Sequence, residues 1–143
     1  MMGSRSAAAL LQLPVRLHGI RLGQPVDVLL ETGEWRVLGF VVLCGDDVQR
    51  FLPIAAAVLA EGEVEVGSAL LLLEDVDFYR RRAASLRGLL GGAVTRGASP
   101  IGPLRDVLTG DDGTIAALVV EREGEMEQVD PHGAVVTPGR AAA

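Results

Sequence analysis

Short apolar stretches punctuated by glycine, aspartate and proline restrict this chain more than any other feature. None approaches the roughly 18 consecutive apolar residues of a membrane-spanning helix, and most follow the period of a β-strand. Val26, Val28 and Leu30 alternate around Asp27, residues 31–34 supply turn chemistry, and residues 35–44 form a longer β-branched run, which together predict a hairpin. Gly45-Asp46-Asp47 makes the next turn, and Val48, Leu52 and Ile54 carry a third strand whose edge or end Pro53 marks. Residues 54–60 read equally as helical turn or strand. Val64 and Val66 alternate with Glu63 and Glu65 as a half-exposed strand, and residues 69–73 read as a fully buried one.

The period then changes. Asp75 is placed to cap one helix running to about Leu86, with Val76, Tyr79, Ala83 and Leu86 on its apolar side and Gly88 beyond its end. Strands return at 93–94, 101–108, 115–121, 126–129 and 134–137, separated by turns at 96–100, 109–113, 123–124 and 130–133.

Composition excludes several mechanisms. The net charge is −6 and every basic residue is arginine, so a general electrostatic grip on nucleic-acid phosphates is disfavoured. The same lack of lysine removes the P-loop lysine and Schiff-base chemistry. One cysteine, Cys44, forms no internal disulfide and sits in an apolar strand pattern as a small core residue. Arg5 and residues 7–11 start like a signal peptide, but Gln12 and Pro14 cut the stretch short. A cytoplasmic protein with no membrane span is the expectation.

The two strand-rich stretches resemble each other. Leu38-Gly39-Phe40-Val41 followed by Gly45-Asp46-Asp47 parallels Ile101-Gly102-Pro103-Leu104 followed by Gly110-Asp111-Asp112, which suggests a duplication. A glycine within each first strand suggests a bend or bulge of the kind that curls a small sheet.

These residues resemble the PRC-barrel family. The second half carries most of the likeness, in Gly92-Ala93-Val94, in Ile101-Gly102-Pro103-Leu104-Arg105-Asp106-Val107, in Asp111-Asp112-Gly113-Thr114-Ile115 and in Leu118-Val119-Val120. The first half matches loosely, with Leu43 where the second has Asp106. The resemblance covers roughly residues 17–136 and implies a docking or assembly module without a shared catalytic residue. The expected fold is mainly β, with two small PRC-barrel-like barrels in tandem joined by a short helix. Its expected divisions are a disordered segment over 1–14, a first half over 15–74, a linking helix over 75–88, a second half over 89–137 and a disordered tail over 138–143.

No pattern names a catalytic, cofactor or metal site. Arg80-Arg81-Arg82 could hold a phosphate, an RNA backbone or an acidic partner, although helical geometry points the three in different directions. Asp46-Asp47 and Asp111-Asp112 read as turn formers, and Glu121, Glu123, Glu125 and Glu127 as a charged edge that discourages aggregation. His18 and His132 lack ligand spacing, and Ser68, Ser85 and Ser99 lack the flanking glycines of a nucleophile elbow. Trp35, just after a hairpin turn, either anchors an interface or plugs a barrel end. The expectation is a non-catalytic protein-interaction module that self-associates, with Trp35, Arg80, Arg81 and Arg82 as possible partner-binding residues. An RNA-binding or ribosome-maturation accessory and a small-ligand carrier are the alternatives.

Overall fold

Each half of the chain is organised around one long antiparallel hairpin. In the computed structural model, which describes residues 4–138, the order is β1 (Arg5–Ser6), α1 (Ala7–Leu10), β2 (Val15–Leu17), β3 (Ile20–Glu31), β4 (Arg36–Cys44), β5 (Gln49–Pro53), β6 (Ala57–Ala60) and β7 (Glu63–Val66). There follow α2 (Val76–Arg80), β8 (Ala84–Ser85), α3 (Leu86–Leu89), β9 (Ala93–Arg96), β10 (Ser99–Thr109), β11 (Ile115–Arg122), β12 (Glu125–Val129) and β13 (Ala134–Thr137). The molecule is mainly β, and its strands make two curled sheets, each a half-barrel.

One sheet runs β5-β4-β3-β2-β7-β6 and the other β12-β11-β10-β9-β13, with β8 added to β3 and β1 added to β10. The first four strands of each order correspond, β7 and β13 both lie beside the fourth but in opposite senses, and β6 has no counterpart; the irregularities of the central hairpins match as well. Val26 is an extra residue in β3 opposite β4, and Arg105 is an extra residue in β10 opposite β11. Such a bulge bends the strand and re-aims the residue after it, here Asp27 and Asp106. The internal repeat therefore runs from Ser6 to Ser85, from Val15 to Val94, from Leu22-Gly23 to Ile101-Gly102 and from Asp27 to Asp106. It does not run from Leu38-Gly39 to Ile101-Gly102 as the sequence suggests, because Gly45-Asp46-Asp47 joins β4 to β5 whereas Gly110-Asp111-Asp112 joins β10 to β11. The counterpart of Asp106 is Asp27, not Leu43.

Three further expectations are corrected. The segment 1–14 is not disordered over its described part, since β1 pairs with β10 and α1 buries Ala7 and Leu10. The single helix expected over 75–88 stops at Arg80, because Ala84-Ser85 turns extended to pair with Leu29-Leu30 and Ser85 then caps a separate helix, α3. Residues 69–71, read as part of a buried strand, form a 3-10 turn capped by the Ser68 hydroxyl. The expected tail lies outside the described residues from 139 onward.

One apolar cluster runs through both halves. The first sheet supplies Val28, Leu30, Phe40 and Leu52, the second Leu104, Val107, Leu118 and Val120, and the two short helices Leu10, Leu86 and Leu89. Full burial of each such side chain contributes about 1.5–3 kcal/mol. Trp35 crosses between the halves at 3% exposure, and its indole N–H donates to the carbonyl of Ala134 at 3.3 Å. A smaller cluster of Leu29, Val41, Phe51 and Val76 lies on the other face of the first sheet, where the Tyr79 ring stacks on Phe51 with centroids 4.0 Å apart.

Candidate functional site

The serine and aspartate positions of the repeat are joined crosswise. Ser6, from the first half, donates its hydroxyl to Asp106 of the second, and Ser85, from the second, donates to Asp27 of the first. Each carboxylate also accepts backbone N–H groups, Asp106 from Ala8 at 3.0 Å and Val107 at 2.8 Å, Asp27 from Arg87 at 3.2 Å and Val28 at 2.8 Å. Each serine oxygen in turn accepts the N–H of the helix it caps, from Ala9 and from Gly88. Chemically these are helix caps and inter-half joints, with every donor matched to an acceptor.

The residues singled out from the sequence do not meet. Trp35 is buried, so it cannot present its ring to a partner, and it lies against Ala134 of the other half. Arg80 donates to the Gln49 side chain at 3.0 Å, Arg81 is exposed, and the Arg82 guanidinium stacks 3.8 Å over the Phe78 ring while donating to the Phe78 carbonyl. The three arginines therefore face different neighbours and make no common anion cradle. Glu121 and Glu127 of the acidic hairpin are paired with Arg105 and Arg122. His18 and His132 both lie in exposed turns, His132 with its backbone N–H on Asp130.

The most distinctive surface is one that sequence reasoning missed. At the end of the first half-barrel, where β3 leaves Leu22 beside Cys44 at the end of β4, the turn after Ser68 folds over to make a groove of about 610 Å³. Leu22, Cys44, Ala69, Leu70, Leu72 and Leu73 line it, with Arg50, Asp46 and Glu74 also on the wall. Leu70 stands 87% exposed on its rim. A shallower hollow, sharing Leu22, Cys44 and Gly45, extends the surface to Leu43 and Arg21. Across both hollows two arginines face two carboxylates. Arg50 and Asp46 form a two-pronged pair at 2.9 and 2.8 Å, which lowers the Asp46 carboxyl to about 2 and raises the arginine.

The repeat places a counterpart at the end of the second half-barrel, where Ile101 stands in the position of Leu22. That cleft, about 580 Å³, is lined by Glu121, Glu123, Glu125 and Glu127 against a single arginine, Arg122, with Met126 at its rim. Two ends with one backbone plan thus carry opposite chemistry, apolar and neutral in one, acidic in the other. Compared with the known protein families and with curated proteins, the chain matches none.

Proposed function

We propose that the chain is a non-catalytic PRC-barrel-like assembly module, two small barrel-like halves in tandem, that docks a protein through the apolar end of its first half. The observation that carries this reading is Leu70, a leucine held almost fully in water by a capped turn beside a leucine-lined groove. Apolar patches rimmed by polar groups are the surfaces that proteins use for association. The repeat supplies an internal comparison, because the counterpart end of the matching hairpin β10–β11 has an acidic lining instead.

An RNA-binding role has less support, since the three arginines are spread among Gln49, solvent and Phe78. A cytoplasmic setting belongs to the same proposal, in line with the single, free and buried Cys44. The test is affinity purification of the full chain from its native cell, as wild type and as Leu70→Asp. The expected result is a protein retained by the wild type and lost with the variant; equal retention, or retention of RNA that salt disrupts, would overturn the proposal.

A further inference from the structure

We infer that the occupant of the apolar end is a second copy of this chain, in a two-fold symmetric dimer that seats Leu70 of each copy in the groove of the other. The inference rests on the docking role proposed above and adds the identity of the partner.

Self-complementarity is the first argument. A two-fold contact brings the same patch of both copies together, so the patch must carry both a protrusion and the recess that accepts it. The 3-10 turn over Ala69–Leu71 provides the protrusion, and the hollow between Leu22, Cys44 and Leu72 at its foot provides the recess. Leu43 and Leu71, each 38% exposed, extend the apolar surface around it.

Charge is the second argument. At net charge −6, two copies repel each other over most approaches. The lining of the apolar end is an exception, since Arg21 and Arg50 balance Asp46 and Glu74, and Arg50 and Asp46 are already paired within one copy. Taken over both hollows, self-docking there brings together surfaces with no net charge. The acidic end, where Arg105 and Arg122 answer two of four glutamates and leave Glu123 and Glu125 over, would repel its own kind.

The test is sedimentation or light scattering of the full chain over a wide concentration range, with Leu70→Asp and, as a control at the other end, Met126→Asp. Leu70 and Met126 are both largely exposed, so neither change disturbs the core, and unchanged melting curves verify this. The expected result is a concentration-dependent doubling of mass in the wild type and in Met126→Asp, and a loss of association of about 30-fold or more in Leu70→Asp, the scale of an interface hot spot. A wild type that stays monomeric throughout overturns the second copy as occupant. If its capture of another protein still depends on Leu70, the docking reading stands without it; if capture is also indifferent to Leu70, both fall. A dimer equally strong in Leu70→Asp overturns the assignment of this face.

Discussion

Asp46 holds its low pKa because Arg50 donates two hydrogen bonds to it, and the Val48 N–H adds a third. A carboxyl lowered from 3.8 to about 2 favours the fold wherever it is ionised in both states, and that contribution disappears as pH falls through about 2. Removing the guanidinium with Arg50→Ala is expected to return the Asp46 titration toward its ordinary value, measured by NMR of the side-chain carboxyl carbon. Between pH 5 and 8 the pair stays intact, so the groove wall is constant over that range. Asp112 is lowered in the same direction by the backbone and side chain of Thr114. Asp27 is a different case, because it is 5% exposed and satisfies three donors at once. Asp27→Ala strands those donors and is expected to cost about 3 kcal/mol in urea unfolding, more than Ser85→Ala, near the 1 kcal/mol of a lost helix cap. Gly113 sits at φ +90°, and a Cβ there would lie 2.9 Å from the Val37 carbonyl, inside the seam between the halves. Gly113→Ala is expected to destabilise by more than about 1 kcal/mol by the same measurement.

At the scale of elements, the strands were the legible part. β4, the turn at Glu123-Gly124 and the strands either side of it follow from period-two alternation and from residues that accept positive φ, as Glu123 and Gly124 both do. The register of the repeat was not legible from the Gly-Asp-Asp turns, which are local devices that recur in unrelated loops. It resides instead in Ser6, Gly23 and Asp27 and their counterparts Ser85, Gly102 and Asp106, too sparse to stand out in one sequence. α1 was missed and α3 was merged into one longer helix because each has four residues and forms only where a serine cap and a strand of the other half support it. The groove was hidden for a related reason. A run of leucines after Ser68 has no period, so burial was the default reading, whereas the Ser68 cap turns the chain and leaves Leu70 outside. The burial of Trp35 was among the readings the sequence allowed, and its cause is the contact with Ala134, 99 residues away.

For the whole molecule, the decisive property is that the main interior is common to both halves. Apolar side chains of both sheets share one cluster, the Val37 N–H donates to the Gly113 carbonyl at 2.7 Å, and the Ile115 N–H donates to that of Trp35 at 3.1 Å. Calorimetry is therefore expected to show one transition with equal calorimetric and van't Hoff enthalpies, where two independent units would give two. The crosswise serine joints also set an order of events during synthesis. Ser6 is made 100 positions before its acceptor, Asp106. The segment that carries Ser6 must wait, unfastened, until Asp106 has been made, and a ring closed over that length forms slowly.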